Sequence, residues 1–558
     1  MTDDLSDPKG FKYMLPRTAL IKIQRSMYDK LKEHASSMFG GLPSELKHYF
    51  HEYQKEFQNY SALSTKRELL LEVLKSDVIF FGDYHTLSQA QRTVIRILRD
   101  SIRVLKRNKK RVVLALEMLT PQHDAFVKKF LQGKISERVF LESIGFEENW
   151  GFPWDHYKPL FEFAREHGVE VRGINHPKSS KKMSLKLRDQ FSAKVLSDIS
   201  VADPNTSIFV LIGDLHLAGK HLPHEFKTKL KLKKTSRKIL SVHQNLEKLY
   251  WQLVEQGLEH WVDVVRIGKR DFCVMNTPPW VKLKSHLNWT ELIAEAGKVP
   301  PLATAAQAFE EMDYSHEVAD LTRMIGHFLG MKIPQLDNFQ IYGPLDFELL
   351  KNDPLNSKYA RVFKSYFVPK KNMIFLNSLS LNHVAAQSSI FLHSTLSGFV
   401  NVFENPHRDF YSFIWVEALG FLGAKVINPK RKCNGRLDLR KQLGRTTKKD
   451  ENWQSAYLAL THLEWERASI QNRNSVALLL PQSSNRNLLY YKTAKILGHL
   501  LGNSIYHALV DQKISREEVK ELFYLCFDQP NVASKAYFKW AKRLDQFNYR
   551  DSVKWQRF

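Results

Sequence analysis

The sequence predicts an α/β protein: a mostly parallel sheet with crossover helices, followed by a mainly α-helical C-terminal domain. Three observations lead there. Short apolar runs bounded by glycine, such as Val78-Ile79-Phe80-Phe81 and Ile208-Phe209-Val210-Leu211-Ile212, read as strands buried on both faces. Between such runs lie stretches whose apolar residues recur at helical spacing, the alternation that gives a parallel sheet with right-handed crossovers. Beyond Asn276-Thr277-Pro278-Pro279 the pattern becomes mostly helical.

Taken in order, residues 17–60 mix Leu, Ile, Tyr and Phe with charges and lack strand-like runs, so residues 1–64 are expected to form a helical extension packed on the adjoining α/β core. An α/β domain is expected over 65–275. After the run ending at Phe81, Ser88 reads as an N-cap, and Val94, Ile97, Leu98, Ile102 and Leu105 mark the first crossover helix. Val112-Val113-Leu114-Ala115-Leu116 is the next strand. The second crossover holds Phe126, Phe130, Ile135 and Phe140 and includes Asn149-Trp150-Gly151-Phe152-Pro153-Trp154. Strands are then expected at 169–174, 208–212, 238–242, 262–267 and 272–275. Consecutive prolines halt regular pairing, which places a linker at 276–279 and a helical domain over 276–558. Its amphipathic stretches run near 381–402, 409–424, 453–468, 487–508 and 515–526, the last opening on Ser515 with Glu518 as a capping box. There is no internal repeat and no low-complexity tract.

The strand ends carry the chemistry. Two of them continue into one pattern, Gly82-Asp83-Tyr84-His85 and Gly213-Asp214-Leu215-His216, while others end on Glu117 and on Asn175-His176. Ligands of open α/β sheets bind outside the carboxyl ends of the strands, so Asp83, His85, Glu117, Asn175, Asp214 and His216 are expected on one rim. Asp and Asn at such places also serve as ordinary turn and capping residues. Histidine is not a favoured cap, which sets His85 and His216 apart.

Several of these motifs together resemble a known family. The string GDYH, the LALEM strand ending in Glu117, the segment with Trp154-x-x-Tyr157-x-Pro159, the strand ending in Ile174-Asn175, and GDLH followed by Leu222-Pro223 are similar to the ChaN-like haem-binding uptake family of the Tiki superfamily, over roughly residues 65–245. The resemblance implies a mixed α/β core with paired Gly-x-x-His motifs and an acidic strand end. It also implies haem binding and iron uptake as in ChaN-like members, or metal-dependent protease or esterase activity as in other relatives. Asp83 stands where members commonly carry Glu, which retracts the carboxylate by one methylene.

The rim suits two chemistries. The donor set His85, Glu117 and His216, with Asp83 and Asp214, supplies nitrogen and oxygen ligands for a divalent transition metal such as Zn, Mn or Co, leaving a carboxylate as general base. For haem, a tyrosine or histidine ligates iron while Tyr84, Tyr157, Trp150 and Trp154 cover the macrocycle. The expected function is therefore ligand binding at the rim, of haem or a metal ion. A metal-dependent hydrolase on the same rim and an interaction protein with a degenerate site are the other two classes.

A net charge of +24, from 83 Lys and Arg against 59 Asp and Glu, favours acidic partners, including a small anionic ligand such as haem with its propionates. The basic clusters at 107–111, 178–186, 227–238 and 430–432 read as solvated loops and helix faces. No RNP-like string, zinc-finger spacing or Walker loop points to nucleic acid. Cys273, Cys433 and Cys526 lack the spacing of a disulfide framework or a zinc-thiolate site. The acidic amino terminus has no signal-like apolar segment and no lipid-anchor cysteine, so a cytoplasmic location is expected. Apolar runs are expected to fall short of a membrane span. His383, His393, His407, His462, His499 and His507 form no i, i+3 or i, i+4 pair and read as ordinary histidines.

Overall fold

The computed structural model describes residues 14–38, 43–177, 184–296, 315–333, 336, 339–343, 360, 363, 365–376, 380–400, 408–444, 446–470 and 487–549. The chain divides into two compact units, Tyr28–Thr304 with Gln556–Phe558, and Met1–Met27 with Ala305–Trp555.

The α/β unit begins within α1 (Pro16–Met38) and continues through α2 (Ser44–Glu56), β1 (Ala62–Ser64), α3 (Lys66–Lys75), β2 (Val78–Asp83), α4 (Ser88–Arg107) and β3 (Arg111–Leu116). A helical crossover comes next: α5 (Asp124–Leu131), α6 (Glu137–Ser143), α7 (Phe146–Asn149) and α8 (Trp154–His167). The unit then runs through β4 (Glu170–Gly173), α9 (Leu185–Ala202), β5 (Thr206–Gly213), α10 (Leu222–Leu232), β6 (Ile239–Gln244), α11 (Glu247–Glu255), β7 (Val264–Gly268), β8 (Asp271–Val274) and α12 (Pro279–Ala296).

These strands make one sheet in the order β1-β7-β8-β6-β2-β5-β3-β4. The pairs β8–β6, β6–β2, β2–β5, β5–β3 and β3–β4 are parallel, and the β1–β7–β8 edge is antiparallel. Every residue of β2 and β5 is buried, as expected of central strands covered by helices on both faces. Register sets the rim: Asp83 pairs with Gly213, and Leu116 lies beside both Leu211 and Gly173. The motifs after β2, β3, β4 and β5 therefore leave the sheet side by side.

The first crossover helix buries Val94, Ile97, Leu98, Ile102 and Leu105 as the periodicity predicts. Its cap differs. Leu87, not Ser88, is the N-cap, because a backbone turn from Leu87 N–H to the Tyr84 carbonyl (2.7 Å) already shapes the entry, and Ser88 is the first helical residue. The second crossover packs Phe130, Phe140, Trp154 and Phe161 against one another, with Phe130 and Phe140 stacked at 4.4 Å.

Residues 28–64 and the segment 276–279 lie within the α/β unit. Pro279 opens α12, where the missing N–H costs nothing and the fixed φ suits a helix start.

The second unit contains α13 (Ser315–Phe328), a small sheet of β9 (Gln340–Tyr342), β10 (Tyr366–Val368) and β11 (Met373–Phe375), and the helices α14 (Leu381–Ser397), α15 (Phe410–Ile427), α16 (Arg436–Leu443), α17 (Glu451–Ile470), α18 (Asn487–Val510), α19 (Arg516–Tyr524) and α20 (Pro530–Asp545). The Ser515–Glu518 capping box opens α19. Contrary to the sequence expectation, α15 is long and apolar enough to cross a membrane by length and composition, and 89% of it is buried within the protein. Its isolated Glu417 and Lys425 break the run that a residue-by-residue reading seeks. His407 and most of the basic run 178–186 lie outside the described residues.

Candidate functional site

At the end of β2 the chain turns and the His85 ring folds back on Asp83, so that Nδ1 lies 2.9 Å from Oδ2. Tyr157, on α8, donates its hydroxyl to the same oxygen at 2.8 Å, and Gln91, on α4, donates to Oδ1. One carboxylate thus holds an imidazole, a phenol and an amide. At the end of β5 the second histidine has a matching partner that the motif does not contain: His216 Nδ1 stands 2.6 Å from Asp189 Oδ1 on α9. Tyr49, on α2, donates to Asp189 Oδ2 at 3.0 Å.

Glu117 lies between the two histidines. Its Oε2 is 3.9 Å from His85 Nε2 and its Oε1 is 3.6 Å from His216 Nε2. Gly213 N–H donates to Oε2 at 2.7 Å, and Arg188 pairs with Oε1. Glycine at 213 leaves the space in which these groups meet, for a Cβ there would stand 3.4 Å from Glu117 Oε2, His216 Cδ2 and His85 Nε2. The result is a symmetrical array, Asp83–His85–Glu117–His216–Asp189, with each imidazole held by an aspartate at Nδ1 and facing Glu117 through Nε2. Such outer carboxylates fix the tautomer and orientation of a ligating histidine.

The array is buried rather than open, since Asp83, Glu117, Asp189 and His216 are 3%, 4%, 1% and 5% exposed. Burial raises the Glu117 carboxyl, but Arg188, His216, His85 and the Gly213 N–H outweigh it and hold it at about 2. For His85, burial favours the neutral ring, and Asp83, Glu117 and Asp214 together push its pKa above the usual value. The Tyr157 hydroxyl is raised well above its ordinary range, by burial first and then by Asp83.

Other expected site residues fall elsewhere. Asn175 accepts from Arg188 Nε at 3.3 Å, so it orients the partner of Glu117. Asp214 turns away and pairs with Lys282 Nζ of α12 at 3.1 Å. The same Nζ lies 4.3 Å from the centre of the Tyr84 ring, and Tyr84 does not reach Glu117 through any described bond. Trp154 is 2% exposed and belongs to the phenylalanine core, so it does not line the mouth. Trp150 and Phe152 do, each with its ring centre 4.6 Å from that of His85.

The expected metal ligands His85, Glu117 and His216 meet, yet among the described residues no three His, Cys, Asp or Glu side chains form a group that could hold a metal ion. Both Glu117 oxygens are engaged, by the Gly213 N–H and by Arg188.

Residues 69–186 match the model of a family described as haem-binding uptake, Tiki superfamily, ChaN. This part of the α/β unit is thus a ChaN-like segment. It contains Asp83, His85, Gln91, Glu117, Tyr157 and Asn175, and it ends before Arg188, Asp189 and His216. A solved structure described as cofacial haem binding to ChaN of Campylobacter jejuni is 18% identical, with 32% of this chain and 86% of that chain covered and a TM-score of 0.28. No curated protein matches.

Proposed function

We propose that the α/β unit binds haem at the rim, with His85 as the group presented to the ligand. The observation that carries this reading is the setting of His85 inside the ChaN-like segment. Its side chain is 21% exposed, against 7% for His216, and it lies against both Trp150 and Phe152, which also touch each other. Asp83 engages Nδ1 and leaves Nε2 as the lone-pair nitrogen, the preparation an axial imidazole needs. Trp150, Phe152 and Tyr84 supply flat surfaces for a macrocycle.

The donor and the aromatic faces fit haem, but the space does not in the closed arrangement. Nε2 points inward, toward Glu117 at 3.9 Å and the backbone of Gly213, which leaves no room for a porphyrin. Haem binding in this reading therefore requires the mouth to open. When bound, haem supplies an iron centre and two anionic propionates; the chain supplies the imidazole, its orienting carboxylate and the covering rings.

One observation favours a second reading, a metal-dependent hydrolase: both Nε2 atoms face the same carboxylate. Three ligands about 2.0–2.2 Å from an ion, as for Zn, stand roughly 3.3–3.6 Å apart, so the His216 and His85 nitrogens, now 3.6 and 3.9 Å from Glu117, would have to draw closer to hold one. Arg188 must leave Glu117 for that. Purified protein separates the readings. A saturable Soret shift on haem titration supports the first, while stoichiometric Zn or Mn retained on dialysis, with ester or peptide turnover, supports the second. Absence of both is what an interaction protein with a degenerate site predicts, and it contradicts the proposal.

A further inference from the structure

We infer that the edge of the sheet opposite the rim is a docking face for a bilayer bearing anionic phospholipid, built from two basic runs that the fold brings together. This face does not depend on what the rim binds.

β2, β3, β5, β6 and β8 run parallel, so the residues just before them share one edge, away from Asp83, Glu117 and His216. The basic run 107–111 follows the end of α4 and leads into β3, and the run 227–238 closes α10 and leads into β6. At the edge the two runs meet. One carboxylate, Asp77, holds Lys110 Nζ at 3.4 Å through Oδ1 and the Lys238 backbone N–H at 3.0 Å through Oδ2. Asp203 lies in the field of both Arg111 and Arg237. Lys269 and Arg270 come to the same edge before β8, where the Arg270 carbonyl accepts from Ser241 N–H at 3.0 Å.

Of the acids at this edge, Asp77, Asp198, Asp203 and Glu170 already face cations of the two runs. That leaves Arg107, Lys109, Lys231, Lys234, Lys238 and Lys269, all exposed and with no ion pair among the described residues. The helix dipole favours cations in the last turn of a helix, but Lys238 and Lys269 precede strands. Both helices also end in the same turn. Lys110 N–H donates to the Leu105 carbonyl and Lys109 N–H to that of Lys106, both at 2.9 Å; Thr235 N–H donates to the Leu230 carbonyl and Lys234 N–H to that of Lys231, both at 3.0 Å. The turning residues, Lys109 and Lys234, have φ of 55° and 51°, a left-handed conformation that glycine fills best. Lysine is thus kept twice where the backbone asks for glycine. Among these cations stands Leu232, 74% exposed, and Val201 at the end of α9 is 44% exposed. The Lys233–Asp198 pair and the bond from Arg237 to the Ser200 carbonyl tie the two helix ends together. Lysines around a protruding leucine suit an anionic bilayer, with ammonium groups at the headgroups and the apolar side chain below them. Nucleic acid is served by rings that stack on bases, and neither run contains an aromatic residue. Docking through this edge turns the rim away from the bilayer.

The test is sedimentation of the full chain with vesicles of phosphatidylcholine alone or of equimolar phosphatidylcholine and phosphatidylserine. Wild type is expected to sediment with the mixed vesicles only, and several-fold less at high salt. Lys109→Glu with Lys234→Glu, one change in each run, should weaken this binding by about tenfold or more, and Leu232→Ser should weaken it several-fold. Lys535→Glu with Lys539→Glu, the same charge change at exposed positions of α20, should leave it nearly unchanged. Lys109→Gly with Lys234→Gly separates folding from docking: glycine relieves both left-handed positions, so the melting temperature should not fall while vesicle binding still weakens. Circular dichroism confirms that each variant is folded. Equal binding to the two vesicle types, binding to neither, or equal losses in the α20 pair and the run pair overturns the docking face. An unchanged Leu232→Ser variant overturns the bilayer contact, and tight binding of a mixed-sequence DNA duplex by a chain that ignores both vesicles assigns the runs to nucleic acid instead.

Discussion

The residues of the rim act through pairing more than through position. Each histidine owes its orientation to an aspartate, but the two aspartates come from different kinds of place. Asp83 is two residues from His85 in a strand-end motif; Asp189 is on a helix and 27 residues from His216. The strand-end rule made Asp83, His85, Glu117 and His216 legible in the sequence, because a glycine-bounded apolar run announces where a parallel strand stops. It could not find Arg188, Asp189, Gln91 or Tyr49, since helical periodicity marks the apolar face and does not say which polar residue is turned inward. Burial of the array also changes what substitution does. His216→Ala leaves Asp189 buried with Tyr49 as its remaining described partner, and we expect a loss of about 1–3 kcal/mol in stability, read as a lowered urea midpoint. An unchanged midpoint contradicts the buried pairing. In ligand titrations, His85→Ala and His216→Ala should each remove most binding, with the double variant scarcely weaker than either, because members of one site are strongly non-additive. Simple addition of the two losses is the contrary result.

At the scale of elements, close approach decides what can be changed. A Cβ on Gly173, at the end of β4, would overlap the Thr120 carbonyl, a backbone group that no rotamer change can move. Gly173→Ala should therefore cost about 1–3 kcal/mol, whereas Gly133→Ala, where a Cβ meets nothing within 4 Å, is opposed by its positive φ alone and should cost less. Thermal melts of the two variants check the order, and a larger loss at Gly133 contradicts it. In the second unit Gly498 and Gly502, one helical turn apart on α18, face the α15 backbone at Ile414 and Ala418. Gly502→Leu should open that helix pair and lower the melting temperature; a variant as stable as wild type contradicts the close packing. The strands and crossover helices were legible from periodicity. The affiliation of α12 was not: a pair of prolines stops a strand, but proline is equally suited to begin a helix, and only packing decides which unit that helix joins.

For the whole molecule, charge balance and burial set the response to acid. Burial pushes the His243 imidazole down to about 3 and that of His393 down to about 4, so both are neutral in the folded chain near neutral pH. Their folded pKa values lie below the unfolded value, so the unfolded chain takes up protons first as the pH falls. The stability they permit is full above about 6.5, the unfolded histidine value, and is lost progressively as the pH drops toward the folded values. Melting temperature should thus fall between pH 7 and about 5, before most carboxylates titrate, and His393→Gln should flatten part of that slope. A melting temperature constant over this range contradicts the assignment of these rings as buried and neutral. The central claim remains that the closed, carboxylate-braced rim of the α/β unit is a haem site presented through His85. Its most direct test is haem titration of the purified full chain in the Soret region, with His85→Ala in parallel. The account predicts a saturable Soret shift with wild type that is lost or greatly weakened in His85→Ala; equal titration curves for both proteins, or no Soret shift in either, would contradict it.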